Sequence, residues 1–381
     1  MSSQNSFFFH RPELAKTLAD ALLGKTPFNY RSGLFLAAPR RTGKSDFLRR
    51  DLVPEMQKQG QTTLYVDLWS DKSVDPAVLI AETIKTALRQ ADNLAMKAVR
   101  AAGLSKLGIG PFASFDIDKI GASQGITLSD ALEALAARTR KDVTLIVDEA
   151  QHALTTEAGI NSMFALKAAR DAMNQGQSSG KLTLVFTGSH RDKLSNLMLR
   201  RDQPFFGASF VDFPKLDKNY TDALTGWMNE RLDADNRFEA DDVFSAFEIL
   251  AHRPEMLETA MKDFALGSEK SAGLKKSLIA GATALRERLW EDYDRDFSQL
   301  TPLQKATLGV IIDRGERFVP FAAETLSALS NVCGRKVEAS EMQASLDALR
   351  QKDIIWRSAR ATYTLEDQSM AEWFLARHKT P

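Results

Sequence analysis

Short runs of apolar residues recur through the first part of the chain, and stretches with helical spacing of apolar positions separate most of them. The runs are continuous and do not alternate between apolar and polar positions. Such runs are typical of strands that are covered on both faces, as in a parallel sheet with helices on each side. We therefore predict an α/β fold with a doubly wound parallel sheet. Its predicted strands are residues 34–37, 63–66, 143–147, 182–186 and 210–213.

The pattern becomes almost wholly helical after residue 217. Helical spacing runs through residues 218–298 and continues beyond Pro302 as three shorter helices. Two short segments about a turn, 353–356 and 362–365, then indicate a β-hairpin. Three helices followed by a hairpin are typical of a winged helix. The sequence thus predicts three domains, namely an α/β core (1–217), a helical domain (218–298) and a winged-helix domain (299–381).

Three local patterns carry narrower predictions. A helix is expected over residues 193–199. Another is expected to end at Thr139 and to begin at an N-cap, which is Ser129 or Asp130. Residues 103–123 favour a small β-hairpin, because three apolar residues lie among glycines there: Phe112, Phe115 and Ile117.

Composition limits the classes of protein that fit. Apolar residues make up 44% of the 381 residues, enough for sizeable cores, and no apolar run approaches the length of a membrane span. The N-terminal residues lack the features of a signal peptide. A single cysteine, Cys333, excludes an intrachain disulfide framework and a cysteine-rich zinc site. We expect a cytoplasmic protein with no membrane association, and its net charge of zero means that nucleic acid would need a local basic patch.

The first predicted strand leads into the segment APRRTGKS and then into a predicted helix. This segment departs from the P-loop pattern G-x-x-x-x-G-K-[ST] only at Ala38, where Gly is usual. In a P-loop, backbone N–H groups and a helix N-terminus face phosphate, the lysine reaches the outer phosphates and the hydroxyl binds Mg²⁺. The simpler alternative is an ordinary basic turn. The P-loop prediction makes eight residues candidates for binding a nucleotide: Pro39, Arg40, Arg41, Thr42, Gly43, Lys44, Ser45 and Asp46.

Two further strands end in polar residues. The third predicted strand ends in Asp148 and Glu149, and the fourth is followed by Thr187 and Ser189. An apolar strand that ends in Asp-Glu is typical of a Walker B motif, in which one carboxylate holds a water of the Mg²⁺ shell and the other faces the attacking water. A solvated acidic loop is the alternative. Polar residues after the fourth strand can position the lytic water or sense the γ-phosphate.

Taken together, these motifs resemble those of the archaeal-ATPase-type branch of the AAA+/STAND P-loop ATPases. The resemblance extends from His10 to Trp373. It implies an ATPase core, a helical lid and a winged helix, with ATP or ADP and Mg²⁺ as cofactors. The motifs that carry it are APRRTGKS, VDEAQ, FTGSHRDKL, PFFG and a C-terminal set of Tyr363, Leu365, Asp367 and Trp373.

The resemblance also implies roles for single residues. Lys44 is expected to bind phosphate, Ser45 to bind Mg²⁺, Asp148 to serve as the Walker B carboxylate beside Mg²⁺, and Glu149 to act as the general base.

Further roles implied by the resemblance concern sensor residues. Thr187 or Ser189 occupies the sensor position after the fourth strand. Arg253 is a candidate sensor in the lid, where His252 replaces a glycine that is frequent in the family.

Two arginines before the fifth predicted strand, Arg200 and Arg201, are candidates for an arginine finger that reaches a neighbour's γ-phosphate. That role implies self-assembly on ATP. The alternative is that both are cations at a helix C-terminus, where positive charge is favoured.

The predicted winged helix carries basic residues that suit contacts with DNA phosphates. Acidic residues lie among them, and winged helices also serve as protein-docking modules. The basic set comprises Arg335, Lys336, Arg350, Lys352, Arg357 and Arg360, and the acids are Glu338, Glu341, Asp347 and Asp353.

The leading functional hypothesis is an ATP-hydrolysing molecular switch that couples its nucleotide state to assembly with a DNA or protein partner. The alternative is a DNA-binding regulator whose bound nucleotide is structural or slowly turned over. An intact Asp148–Glu149 pair favours turnover.

Overall fold

The structure is a computed structural model. It describes residues 7–27, 30, 33–39, 41–101, 116–121, 125–176, 178–199, 201–265, 274–359 and 362–378. The predictions for Arg40, Arg200, Arg360 and most of the 103–123 segment lie outside these residues.

Five parallel strands form the central sheet, in the order β2-β3-β4-β1-β5. The α/β class and the parallel sheet predicted from the sequence are confirmed. Because β1 pairs with β4 and β4 pairs with β3, the carboxyl ends of these three strands meet at one edge of the sheet. The bounds are β1 Leu34–Ala37, β2 Thr62–Asp67, β3 Val143–Asp148, β4 Leu182–Gly188 and β5 Ser209–Asp212.

Helices cover both faces of the sheet, and alternate strand residues face two separate cores. Phe35 and Phe186 belong to the core under α4, α5 and α6, whereas Leu34 and Val185 belong to the core under α1 and the helix after the P-loop. A π-helical turn, Leu48–Leu52, joins α2 to α3. The helices are α1 Pro12–Leu22, α2 Lys44–Phe47, α3 Val53–Lys58, α4 Pro76–Ala101, α5 Leu128–Thr139, α6 Glu157–Gln175 and α7 Arg191–Ser195.

The second half of the chain has two further cores, and α11 contributes to both. Leu278 packs with α8, α9 and α10, whereas Trp290 and Tyr293 pack with the elements that follow. The first part of α11 therefore packs in one core and its last part in the other, so the change occurs before the predicted boundary at 298/299. The domain boundaries stay predictions. The helices of the first of these units are α8 Lys218–Asn229, α9 Ala240–Ile249, α10 Pro254–Ala265 and α11 Leu274–Ser298.

Three helices and an antiparallel hairpin follow, in the order that the sequence predicts. A last helix, α15, was not predicted and buries Trp373 completely against Tyr293 and Phe297 of α11. We call the elements from α12 to α15 the C-terminal unit. They are α12 Pro302–Arg314, α13 Ala323–Cys333, α14 Ala339–Gln351, β6 Ile355–Ala359, β7 Thr362–Leu365 and α15 Ser369–Arg377.

Three local predictions are corrected by the structure. The helix α7 ends at Ser195 and not at residue 199, because the N–H groups of Leu197 and Met198 bond three residues back and turn both side chains into the core. The N-cap of α5 is Thr127, whose hydroxyl oxygen accepts from the Asp130 N–H at 3.1 Å. Ile117 begins a single 3₁₀ turn and is not in a hairpin strand.

None of the described helices combines the length and the apolar character that a membrane span requires.

The structure yields a prediction about Ala38, which is buried and keeps a negative φ although it stands where P-loops usually have glycine. A glycine there would add freedom to the unfolded chain without relieving strain. We expect Ala38→Gly to lower the free energy of unfolding by about 0.4–1 kcal/mol, measured by denaturant titration. A stabilised variant would show that the loop is strained at this position.

Candidate active site

The P-loop candidate leaves the sheet at the end of β1 and turns directly into α2. Arg41 and Gly43 have left-handed φ values of 66° and 79°, and the Thr42 hydroxyl donates to the Pro39 carbonyl at 2.9 Å. A Cβ on Gly43 would meet nothing within 4 Å, so the left-handed backbone, and not crowding, favours glycine there. The loop delivers Lys44 as the first residue of α2, with its side chain 5% exposed.

The Lys44 ammonium lies at the meeting point of the three strand ends. Its Nζ donates to Asp148 Oδ1 at 2.6 Å and to Thr187 Oγ1 at 2.9 Å, and lies 3.5 Å from Glu149 Oε1. Burial alone would raise the pKa of Asp148, but the Lys44 charge and the hydrogen bonds from Lys44, Thr187 and Ser45 outweigh it and lower that pKa to about 2. Asp148 is therefore a carboxylate at neutral pH.

The second oxygen of the Asp148 carboxylate accepts two hydroxyl groups. Ser45 Oγ and Tyr65 Oη each donate to Oδ2 at 2.7 Å. Ser45 and Asp148 thus bring a hydroxyl and a carboxylate together, which are ligand types that Mg²⁺ accepts. Sequence reasoning missed Tyr65, since a tyrosine within a buried strand carries no signal beyond strand propensity. Burial and the neighbouring Asp148 raise its pKa well above the usual value, so the hydroxyl remains a donor.

Glu149 follows β3 in the left-handed region, at φ 54° and ψ 41°. Its Oε2 accepts from the Ser189 hydroxyl at 2.8 Å, from the Ser189 N–H at 3.2 Å and from Gln151 Nε2. A Cβ on Gly188 would lie 2.3 Å from Gln151 Oε1, so glycine there leaves room for Gln151. The two sensor candidates therefore have different partners: Thr187 donates to Asp148, and Ser189 donates to Glu149.

Among the described residues, three cavities border the P-loop candidate, and the residues that line one of them, of about 920 Å³, include Pro39, Thr42, Arg253 and Asp367. Another, of about 410 Å³, lies over Lys44 and Ser45 and is also lined by Asp67, Trp69 and Glu149. A further cavity, of about 300 Å³, shares Arg41, Thr42 and Gly43 of the loop with the 410 Å³ cavity. Its lining includes Phe7, Phe9, Thr42, Leu216, Tyr220 and Pro254.

The N-terminal residues 7–9 and 11 form one wall of the 300 Å³ cavity. The buried Asp51, from the π turn after α2, accepts the Arg11 N–H at 2.9 Å and lies 2.8 Å from His10 Nδ1. Phe7 and Phe9 then pack on Tyr220 of α8, with ring centroids 6.0 and 5.7 Å away. These N-terminal residues therefore link the π turn after α2 to α8.

Solved structures share this arrangement of sheet and helices. The Walker-type ATPase of Pyrococcus abyssi matches with a TM-score of 0.56 at 18% identity, over 96% of this chain and 95% of that chain. The ORC2 protein of Aeropyrum pernix in its ADP form matches with a TM-score of 0.56 at 12% identity, over 97% and 95%. The same protein in ADPNP–ADP complexes matches with a TM-score of 0.52 at 13% identity, over 96% and 92%.

The chain has the AAA+ P-loop ATPase fold. At these identities the likeness establishes the fold and not the reaction. Neither a protein-family model nor a curated protein matches the sequence.

The helices α8–α11, which the sequence resemblance predicts to be a lid, contact the P-loop candidate through the exposed pair of Arg41 Nε and Glu255 Oε2, 3.1 Å apart. The sensor candidate Arg253 is engaged elsewhere. Its guanidinium donates to Asp367, to Ser369 Oγ at 3.1 Å and to Tyr293 Oη at 3.3 Å. In this structure Arg253, which directly precedes α10, therefore joins the helices α8–α11 to the C-terminal unit.

The C-terminal unit also docks on α7, which begins two residues after Ser189. The Glu366 carboxylate accepts the backbone N–H groups of Arg191 and Asp192 at the start of α7. In return, the buried Asp192 accepts from Arg350 Nε at 2.8 Å and Nη2 at 3.2 Å. Sequence reasoning missed Asp192 and Glu366, because each looks like an ordinary surface acid until its partner is known.

Docking on α7 involves part of the predicted DNA-binding set. The Arg350 guanidinium pairs with Asp192, and the backbone N–H of Arg357 donates to the same carboxylate at 3.2 Å, a bond that does not involve the Arg357 side chain. Arg335 and Lys336 are exposed, but each pairs with a carboxylate of its own unit, at 2.9 and 2.8 Å.

The finger candidate Arg201 is exposed in a turn. Since α7 ends at Ser195, Arg201 does not lie at a helix C-terminus, and that alternative is wrong for it.

The Glu366 contact gives a prediction about pH. Burial raises the pKa of Glu366 to about 7, although the two N–H groups and the Arg191 charge oppose the shift. Between the usual pKa of Glu366 and about pH 7, the folded protein holds a proton that the unfolded chain has released. The stability that neutral Glu366 contributes is therefore complete at low pH and is lost as pH rises through 7.

We therefore expect Glu366→Gln to gain stability relative to the wild type as pH rises from 5 to 8, by roughly 1.4 kcal/mol for every pH unit that separates the folded and unfolded pKa values of Glu366. Parallel thermal melts of both proteins at each pH measure the difference, and other titrating groups cancel in it. A constant difference would show that Glu366 is ionised across this range.

Proposed function

We propose that this protein is an ATP-hydrolysing molecular switch that couples its nucleotide state to assembly with a partner. The observation that carries the proposal is the convergence on Lys44, whose Nζ lies 2.6 Å from Asp148 and 3.5 Å from Glu149. A cation between two carboxylates at the end of a P-loop is available for exchange onto phosphate. The AAA+ fold supports the same reading, as do the ADP and ADPNP complexes of the Aeropyrum pernix protein.

In this proposal the P-loop candidate wraps the phosphates of ATP, and Lys44 leaves Asp148 to bind them. The purine would lie in the 300 Å³ cavity, against the aromatic side chains of Phe7 and Tyr220. Ser45 and Asp148 would hold Mg²⁺, which when bound neutralises charge on the phosphates.

Glu149 is the proposed general base, which accepts a proton from the water that attacks the γ-phosphate. Its carboxylate now accepts from Ser189 and Gln151. To contact the attacking water, Glu149 would have to lose its hydrogen bond with Ser189 or with Gln151. Hydrolysis is therefore tied to the position of Ser189.

The route from the nucleotide to the rest of the molecule starts at Ser189. Its Oγ lies 3.2 Å from His190 Nδ1, and α7 begins at the next residue. Because Glu366 and Arg350 of the C-terminal unit both hold α7, a shift at Ser189 would change how that unit docks. Release of the unit would expose a new surface to a partner.

The partner is proposed only as DNA or a protein. Release from Asp192 would free the Arg350 guanidinium to contact DNA phosphates. Arg201, as a candidate arginine finger, supports ATP-dependent self-assembly as the second form of the proposal. Phosphate release with and without duplex DNA separates the switch from the alternative, a DNA-binding regulator with a slowly exchanged nucleotide.

The hydrolysis proposal predicts different defects in two variants. Lys44→Ala should abolish ATP binding, because Lys44 supplies charge to the bound phosphates. Glu149→Gln should keep binding and lower turnover roughly 10²-fold to 10⁴-fold, the usual contribution of a general base. Fluorescent-nucleotide titration and phosphate release measure the two quantities.

The matched control is Lys58→Ala, which removes an exposed lysine from the end of α3. It should leave both quantities unchanged. Equal ATP affinity in Lys44→Ala and the wild type would refute the P-loop assignment, and full turnover in Glu149→Gln would refute the base.

The coupling route predicts an effect of Asp192→Asn on the hairpin. Loss of the Arg350 pair should raise amide hydrogen exchange across residues 354–359 and 362–366 and make it insensitive to nucleotide. The control is Asp347→Asn, since Asp347 contacts the same arginine at 3.5 Å but from within α14. Wild-type exchange that is identical with ADP and with a non-hydrolysable ATP analogue would rule out coupling through α7.

A further inference from the structure

We propose that Tyr65 is a positioning residue that orients the Asp148 carboxylate toward a divalent cation. This inference rests on the proposed function, because it concerns how the ATP site takes up Mg²⁺. The observation behind it is the 2.7 Å hydrogen bond from the Tyr65 hydroxyl to Asp148 Oδ2.

The sheet makes this contact available. β2 pairs with β3 in parallel register, with Tyr65 opposite Ile146, two residues before Asp148. The hydroxyl of a tyrosine is far enough from its backbone to reach the carboxylate at the end of the neighbouring strand. The Arg49 guanidinium, from the helix after the P-loop, lies 5.3 Å from the centre of the Tyr65 ring and packs over it.

The two oxygens of Asp148 are held differently. Oδ1 accepts from Lys44 Nζ, Thr187 Oγ1 and the Glu149 N–H. Oδ2 accepts from Ser45 Oγ and Tyr65 Oη.

Binding of ATP and Mg²⁺ would alter the bonds of two of these donors. Lys44 is needed by the phosphates and Ser45 by the cation. Thr187 and the Glu149 N–H would still hold Oδ1. Of the described donors to Oδ2, Tyr65 is then the one whose hydroxyl neither the phosphates nor the cation would require. It would fix the rotation of the carboxylate about its Cβ–Cγ bond, as hydrogen bonds from outside a metal's own ligands generally do.

The test compares Tyr65→Phe with Thr63→Val. Phenylalanine keeps the ring and removes only the hydroxyl. Thr63 lies on the same face of the same strand, and its buried hydroxyl has no hydrogen-bond partner within the described residues. Thr63→Val therefore removes a hydroxyl from β2 without touching Asp148.

The readout is the affinity for a fluorescent ADP, measured in EDTA and across a Mg²⁺ titration, with thermal melts of all three proteins. For Tyr65→Phe we expect unchanged affinity in EDTA and a Mg²⁺ half-saturation raised roughly 10-fold to 100-fold, the usual effect of losing such a bond. Thr63→Val should match the wild type in both.

An unchanged Mg²⁺ half-saturation in Tyr65→Phe would overturn the assignment of Tyr65 and leave the proposed function intact. So would an equal loss of affinity with and without Mg²⁺, which would indicate a general packing role. Absence of nucleotide binding by the wild type would instead refute the proposed function, and the assignment of Tyr65 with it.

Discussion

The buried ion pair between Lys44 and Asp148 is the interaction on which the rest of the site depends. The two side chains are 5% and 0% exposed, and their charges are 2.6 Å apart. Burial of two charges is unfavourable unless both are paired and hydrogen-bonded, and removal of one partner typically destabilises a protein by about 3–5 kcal/mol. Here Ser45, Tyr65 and Thr187 complete the hydrogen bonding. A ligand that draws Lys44 away must therefore bring charges of its own, which suits a phosphate with its cation.

This pair also explains why the polar ends of three strands lie together. Lys44 comes from the start of α2, after the loop that follows β1, Asp148 from the end of β3 and Thr187 from β4. Parallel strands bring their carboxyl ends to one edge of a sheet, so residues more than a hundred positions apart become neighbours. Because Lys44, Asp148 and Thr187 are hydrogen-bonded to one another, a change in the hydrogen bonds of one alters those of the other two.

Hydrogen bonding of buried polar atoms is less complete at the contact between α7 and the C-terminal unit than around Lys44 and Asp148. Arg191 Nε and Trp356 Nε1 are buried without a hydrogen-bond partner in the described part of the chain. Each such group typically lowers stability by about 1–3 kcal/mol. The raised pKa of Glu366 is another sign of an unfavourable burial. A docked state with these defects is easier to release than one in which every donor is paired, as the proposed switch would require.

Local pattern alone determined the strands, most of the helices and the candidate residues of the P-loop and Walker B segments. Each of these depends on residues that are close together in the chain, so periodicity and spacing reveal them. The bounds of α4 follow its amphipathic pattern, for example, whereas α7 stops early because the core takes up Leu197 and Met198. Tertiary structure alone decided the partners of Tyr65, Arg253, Arg350 and Glu366. Their contacts join residues 83, 114, 158 and 175 positions apart, and only the folded chain brings such residues within hydrogen-bond distance.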